Sequence, residues 1–173
     1  MTLAFLACVE AGPLEAKAIL LCESIRRYAG ALAHAPIHTF QPRRETAIAP
    51  ATYEALSQLD VIHHTDLLNH THHNYAIGNK MFAAAWAEQH VPAELLVFVD
   101  TDTFFLNEPA ELLLPDGIDA AVRPVDRKRF GSTGPDDEYE PYWQRLYELT
   151  SVRACPFVTT AVDGENIRAY FNA

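Results

Sequence analysis

Short apolar runs recur along the chain, and their lengths predict buried strands. Residues 3–9 (LAFLACV) and 94–99 (ELLVFV) are nearly continuous apolar runs, which indicates strands buried on both faces of a sheet. Shorter runs of the same kind predict further strands at residues 36–40, 60–64, 118–122 and 156–160. All of these runs are too short to cross a bilayer, so no transmembrane segment is expected.

Helical spacing fills the intervals between these runs. From Leu14 onward, apolar residues return every three or four positions until Gly30, which stands where a helix C-cap is expected. The same spacing predicts helices at residues 51–59, 74–89 and 138–149. Strands that alternate with helices predict an α/β fold with a doubly wound, mostly parallel sheet. The polar stretch 123–142, rich in Gly, Pro and Asp, is predicted to be a surface loop.

Composition and charge narrow the possible functions. The length of 173 residues and the hydrophobic content of 49% suit one compact domain spanning residues 1–173. A net charge of -10 repels nucleic acid and anionic lipid surfaces, so neither is an expected partner. Three scattered cysteines do not suit a disulfide framework, and the apolar start lacks the basic region of a signal peptide. A cytoplasmic protein is therefore expected.

Two aspartates follow the most strand-like run of the chain. Asp100, Thr101 and Asp102 come directly after LLVFV. Ligands of open parallel sheets bind beyond the carboxyl ends of the strands, so both carboxylates are expected at a cleft. Their oxygens suit Mg²⁺ or Mn²⁺, and such an ion holds a diphosphate and stabilises it as a leaving group. A bare D-x-D is a weak motif, and solvated aspartates often end strands; the buried strand and the lysine-bearing helix before it favour the metal-site interpretation.

A family resemblance extends this interpretation. The segment NKMFAAAWAEQHVPAELLVFVDTDTFFLNEPAELL, residues 79–113, resembles a segment of GT-A-fold glycosyltransferases, including the glycogenin-like and bacterial galactosyltransferase groups. That segment runs from a lysine-bearing helix through the D-x-D strand to a short helix. Residues 3–30 also fit the nucleotide-binding half of the fold, and the ending IRAYFNA resembles the start of a strand in the acceptor half. The resemblance implies a nucleotide-sugar donor, first of all a UDP-sugar, an Mn²⁺ or Mg²⁺ cofactor, and a sugar, lipid or protein acceptor.

The resemblance also implies roles for individual residues. Asp102 would ligate the metal through both carboxylate oxygens, Asp100 would contact the metal and the donor ribose, and Thr101 would be a spacer. Lys80 would approach the phosphates or the sugar of the donor, and with Asp102 it is the candidate for catalysis. Small helical neighbours leave room for the lysine stem to reach the cleft, although a solvated charge is the ordinary state of a helix lysine.

Further donor contacts are expected from loops at the same edge of the sheet. The resemblance places Val9 and Glu10, after the first strand, beside the base and ribose; the alternative for Glu10 is a solvated turn residue. Asp66, Asn74 and Tyr75 are further candidates for base or ribose contacts. The alternative for Asn74 is that it serves only as a helix N-cap.

Histidines and basic residues form two further groups. The histidines that crowd one predicted loop are His63, His64, His70, His72 and His73. Zinc needs three or four converging ligands, and this loop offers neither helical spacing nor partnering cysteines, so a solvated polar loop is the preferred interpretation. The basic residues 127–129 (RKR) are likewise interpreted as a solvated loop face, with acceptor contact as the alternative.

The chain ends where GT-A relatives continue. In those relatives the following half supplies a further metal ligand and most acceptor contacts, so the chain is expected to be truncated or to be completed by a second copy as a homodimer. Two alternatives to an active transferase stay open. One is a module or inactive fragment that binds nucleotide sugar and metal without turnover. The other is a nucleotidyltransferase, which would need a Gly-rich basic loop after the first strand, and CVEAGPLEA is not one.

Overall fold

The computed structural model describes residues 2–170, and the chain divides into two compact units between Leu113 and Leu114. The first unit contains the strands β1 (Leu3–Cys8), β2 (Ile37–Phe40), β3 (Val61–His64) and β4 (Leu95–Phe98), and the helices α1 (Pro13–Tyr28), α2 (Pro50–Gln58) and α3 (Asn79–His90). The second unit contains the helix α4 (Glu140–Thr150) and the strands β5 (Phe157–Thr159) and β6 (Asn166–Arg168).

The four strands of the first unit form one parallel sheet in the order β3-β2-β1-β4. Phe5 of β1 lies opposite Ile37 of β2 on one side and Val97 of β4 on the other. The predicted α/β class with a mostly parallel, Rossmann-like sheet is therefore confirmed.

Helices cover both faces of this sheet because β1 is apolar on both sides. Leu3, Phe5 and Ala7 pack into a core cluster with α1 and with Leu56 of α2. The alternate residues of β1, Ala4 and Leu6, pack against α3 on the opposite face. A strand with a side-chain period of two can bury both faces only when both sets are apolar, and the LAFLAC sequence of β1 meets that condition.

The sequence itself starts α1. Gly12 adopts a φ of 97°, which favours glycine, and Pro13 occupies the first helical turn, where its missing N–H costs nothing. The Glu15 carboxylate turns back to accept the Gly12 N–H at 2.8 Å. Its other oxygen accepts the Ala49 N–H at 2.7 Å, so the same side chain ties the start of α1 to the start of α2.

Two predicted elements differ from the structure. The helix predicted over residues 74–89 begins at Asn79, because the chain at 72–75 makes a turn closed by the Tyr75 N–H on the His72 carbonyl at 2.8 Å. The strand predicted at 118–122 is absent: this stretch is exposed and has no strand partner among the described residues. The backbone N–H and C=O groups of an apolar run form strand hydrogen bonds only when another strand lies beside it, and within residues 2–170 the stretch 118–122 has no such neighbour. The predicted strand therefore does not form.

The second unit is built around its short helix and hairpin. β5 and β6 pair antiparallel, and the residues of this unit that precede α4 form neither helix nor strand. Glu140 of α4 accepts hydrogen bonds from Arg168 of β6, the shortest at 2.6 Å. Of the ending IRAYFNA, Ile167 and Arg168 belong to β6, and residues 171–173 lie outside the described residues. Within 2–170, no helix is long and apolar enough to cross a membrane.

Candidate functional site

The strand order creates a crevice at the carboxyl edge of the first sheet. The chain moves outward from β1 to β2 and β3, and then returns to pair β4 on the other side of β1. The connections after β1 and β4 therefore leave in opposite directions. In open α/β sheets ligands bind at this topological switch point, because the diverging loops leave room between them. Glu10 follows β1 at this edge, and residues 100–102 follow β4.

The D-x-D residues lie in a tight turn directly beyond β4. The Thr103 N–H donates to the Asp100 carbonyl at 2.9 Å, which closes the turn around Thr101 and Asp102. Thr101 is half-buried, whereas the two aspartates are exposed. Over residues 2–170, the Asp102 carboxylate takes part in no hydrogen bond or ion pair. Asp102 is thus an uncommitted carboxylate at the crevice.

Lys80 reaches the same turn from α3. Its Nζ lies 2.5 Å from Oδ1 of Asp100. The structure therefore brings together three of the residues singled out in the sequence, Lys80, Asp100 and Asp102, at the switch point. About a quarter of the lysine side chain and half of the aspartate side chain are exposed, so water screens this ion pair.

Glu10 is buried and paired, so the solvated-turn interpretation of this residue is wrong. Its carboxylate accepts hydrogen bonds from Arg43, with Nε to Oε1 at 2.7 Å, and from Asn79 Nδ2 at 2.7 Å. Val9 is fully buried, and its N–H donates to the Phe40 carbonyl at 2.9 Å. Burial without partners would be costly for the carboxylate, which is why a cation and an amide surround it.

The remaining candidates lie on exposed backbone before α3. Asp66, Asn74 and Tyr75 are all exposed, and none is hydrogen-bonded through its side chain to Lys80, Asp100 or Asp102 in the part of the chain that is described. Asn74 is not a helix N-cap, because Gly78 occupies that position. The Tyr75 ring lies against Gly78, where an added Cβ would approach Cδ1 to 3.3 Å.

A cysteine at the end of β1 is not a nucleophile in this environment. Cys8 packs beside the α3-side core. Burial, with a smaller contribution from the Glu10 charge, raises the pKa of its thiol to about 12. The thiol therefore stays protonated at neutral pH, and thiolate chemistry at this edge is disfavoured.

Two of the five histidines grouped with a predicted loop lie at the end of a strand, in agreement with the strand predicted at residues 60–64. His63 and His64 belong to β3, beside His38 of β2. The His38 Nδ1 lies 2.8 Å from His64 Nε2, while His63 Nδ1 lies 2.9 Å from Thr39 Oγ1 on the other face. We call His38, His63 and His64 the strand histidines; burial lowers the pKa of each. Among the described residues, no three His, Cys, Asp or Glu side chains converge as metal ligands.

Sequence reasoning missed three residues of the crevice. Arg43 follows β2, Asn69 lies in the loop after β3, and Asn79 opens α3. Arg43 carried a usable signal, because it stands three residues beyond β2 at the same carboxyl edge as Glu10. The two asparagines carried none, because their pairing depends on a loop conformation that periodicity does not predict.

The fold and the crevice together define a Rossmann-like α/β protein with a polar site at its switch point. A family model described as the Rhodobacterales glycosyltransferase domain matches residues 5–173. The chain belongs to this family of glycosyltransferase domains. No curated protein sequence matches the chain. Membership of the family implies a nucleotide-sugar donor and an acceptor.

Proposed function

We propose that the chain is a metal-dependent glycosyltransferase of the GT-A type that takes its sugar from a UDP-sugar at the switch point between β1 and β4. The observation that carries the proposal is the arrangement of Lys80, Asp100 and Asp102. One carboxylate is paired with the lysine, with Nζ 2.5 Å from Oδ1 of Asp100. The other is exposed and uncommitted within the described residues. The cleft therefore offers one cation, paired with Asp100, and one free anionic ligand.

The charges at the crevice argue for a divalent cation. Glu10, Asp100 and Asp102 carry formal negative charges, and among the described residues Arg43 and Lys80 are the cations that pair with them, so these five side chains have one negative charge in excess. The net charge of the chain, -10, has the same sign. A diphosphate would be repelled from such a site, whereas a bound divalent cation inverts the local field.

The donor atoms present fit Mg²⁺ or Mn²⁺. Mg²⁺ is usually held by one or two carboxylates together with substrate phosphates and water, and Mn²⁺ favours the same oxygen ligands, so neither needs a cage of three or more protein ligands. Asp102 would hold the ion, and the free oxygen of Asp100 would be a second ligand. When bound, the ion supplies positive charge to the departing diphosphate.

The other side chains bind and orient. Lys80 would contact the donor phosphates, since its Nζ is paired with Asp100 of the D-x-D turn, and Asp100 would orient it. Asp66 and Tyr75 stay proposals for base and ribose contacts, and Asn74 joins them as a loop residue. Glu10 is already committed to Arg43 and Asn79, so we assign it no donor contact.

The proposal is tested by calorimetry with UDP and Mn²⁺. We expect Asp102→Asn to lower the Mn²⁺-dependent affinity for UDP by tenfold or more, because about 1.4 kcal/mol corresponds to each tenfold change and a lost charge-assisted ligand exceeds that value. Asp116→Asn is the matched control: it removes the same charge from an exposed turn of the second unit, and the affinity should stay unchanged. Equal affinities in wild type and Asp102→Asn would refute the assignment.

Turnover is tested separately. Mn²⁺-dependent hydrolysis of a panel of UDP-sugars, measured as released UDP, should occur in the wild type and be lost in Asp102→Asn. Binding of UDP without hydrolysis of any donor, even at long incubation and high enzyme concentration, would instead identify a nucleotide-sugar-binding module. A family of glycosyltransferase domains makes hydrolysis the expected outcome.

A further inference from the structure

A chain of buried polar side chains lies directly behind the D-x-D crevice. Arg43 holds Glu10, Glu10 accepts from Asn79 Nδ2 at 2.7 Å, and Asn69 Nδ2 donates to Asn79 Oδ1 at 2.8 Å. The exposed fractions of Glu10, Asn69 and Asn79 are 5%, 0% and 2%. This hydrogen-bonded network joins the ends of β1 and β2 to the loop after β3 and to the first residue of α3.

Partners satisfy this network at both ends. The Asn69 Oδ1 accepts the His72 N–H at 3.0 Å, and its Nδ2 donates to the His72 carbonyl at 3.0 Å. Arg43 Nη1 donates to the His73 carbonyl at 2.9 Å. A fully satisfied buried network fixes one geometry, whereas a partly satisfied one is costly. The position of Asn79 is therefore set by three other segments of the chain: the residues after β1, those after β2 and the loop after β3.

Among the described residues, no side chain caps the first turn of α3. Its N-cap, Gly78, has no side chain to cap the helix, and its first turn contains no acidic residue. Lys80 is the second residue of α3, where the positive end of the helix dipole disfavours a cation. The ion pair with Asp100 offsets this unfavourable interaction between the lysine charge and the helix dipole.

We infer that Glu10 is a positioning residue that acts through Asn79: it fixes the first turn of α3 and so holds the Lys80 Nζ against Asp100. Arg43 neutralises the Glu10 carboxylate, so the effect passes through the hydrogen bond to Asn79 and not through a long-range field. The consequence for sugar transfer rests on the proposed function. The geometry of Lys80 does not, and it can be measured without donor or metal.

Reductive methylation with ¹³C-formaldehyde measures that geometry. The chain has three lysines: Lys17 is exposed on α1, Lys128 pairs with Asp137 in the second unit, and Lys80 pairs with Asp100. The labelling rate of Lys80 divided by that of Lys17 reports how firmly Lys80 is held. We expect Asn79→Ala to raise this ratio by up to about fivefold, the factor that corresponds to an exposed ion pair.

A double-mutant comparison with Asp100→Asn distinguishes a specific effect of Asn79 on the Lys80–Asp100 pair from a general loosening of α3. Asp100→Asn alone should raise the ratio by a similar factor, and adding Asn79→Ala to it should change little, because the pair is already lost. Gln89→Ala, on an exposed site of the same helix, is the matched control and should leave the ratio unchanged. Additive effects of Asn79→Ala and Asp100→Asn, or no effect of Asn79→Ala, would overturn the inference.

A second variant keeps the test decisive if Asn79→Ala does not fold. Replacing Glu10 and Arg43 together by Met removes the oxygen that accepts from Asn79 and also removes the buried charge pair, and apolar replacement of such a pair is often close to neutral for stability. A raised Lys80 ratio in this double variant supports positioning, and a ratio equal to the wild type overturns it. A failed UDP titration would contradict the proposed function and leave the labelling result intact.

Discussion

Phe105 anchors the D-x-D turn to the core, and its removal is the sharpest test of this part of the structure. Its exposed fraction is 9%, and its ring meets Phe5 of β1 edge-on, with centroids 5.6 Å apart and planes at 75°. Its N–H donates to Ser24 Oγ of α1 at 3.1 Å. Three residues after Asp102, the chain thus packs against β1 through a ring contact and is hydrogen-bonded to α1.

The expected cost of Phe105→Ala follows from this packing. Deleting a buried phenyl ring costs about 3–5 kcal/mol through lost transfer energy and the cavity left behind. Phe105 lies at the rim of its cluster, so we expect the lower end, about 3 kcal/mol. Phe104 is the matched control: the residue is 43% exposed, and the centroid of its ring lies 6.0 Å from that of Tyr28. Phe104→Ala should cost about 1 kcal/mol or less, as surface changes do.

Urea unfolding followed by ¹⁹F NMR measures both losses of stability separately for the first structural unit, which contains both phenylalanines. The chain has two tryptophans, Trp86 in the first unit and Trp143 in the second, and 5-fluorotryptophan gives each its own signal. The Trp86 transition should shift strongly in Phe105→Ala and slightly in Phe104→Ala, with the slope on urea unchanged. A shift below about 1 kcal/mol for Phe105→Ala, or equal shifts for both variants, would refute the packing argument.

Two further predictions concern charge. Burial lowers the pKa of the strand histidines, so the unfolded chain binds more protons than the folded chain below about pH 6.5. Their contribution to stability is therefore present above that pH and is lost as the pH falls. In urea titrations from pH 8 to 5, His64→Gln should reduce the fall in the free energy of unfolding, whereas the exposed-site change His73→Gln should not. In the second unit, hydrogen bonding to Arg168 holds the pKa of Glu140 at about 2. Arg168→Met should raise that pKa toward 4.5 or above, and a carboxyl NMR titration that still gives about 2 would contradict the assignment.

The elements of the first sheet were predictable because their signals are local. Residues 3–8 and 95–98 are apolar on both faces, and a strand with helices above and below needs that pattern. The errors arose where the decision is not local. The start of α3 depends on a turn at 72–75, and residues 118–122 lack a neighbouring strand. Neither condition can be deduced from hydrophobic spacing.

Only the residues that directly follow the strands of the site could be predicted from the sequence, and not the buried partners behind them. Asp100 and Asp102 follow a buried strand, so the rule for parallel sheets places them at the crevice before any contact is known. The partners of Glu10 come from two other segments, and the sequence separation between Glu10 and Asn79 is 69 residues. A short polar residue after a strand looks the same in the sequence whether it is solvated or buried in a network. Only the fold decides between those two states for Glu10.

The two ion pairs at the crevice differ in how easily they can exchange partners. The Arg43–Glu10 side chains are 18% and 6% exposed, whereas those of Lys80–Asp100 are 26% and 50% exposed. Separating a buried pair costs about 3–5 kcal/mol, but an exposed pair contributes only about 0–1 kcal/mol. Lys80 is therefore the cation that can leave its carboxylate for a phosphate at little cost, while Arg43 keeps the frame behind it fixed. The labelling ratio of Lys80 should then change when UDP and Mn²⁺ are added, and a constant ratio with UDP bound would contradict this division of roles.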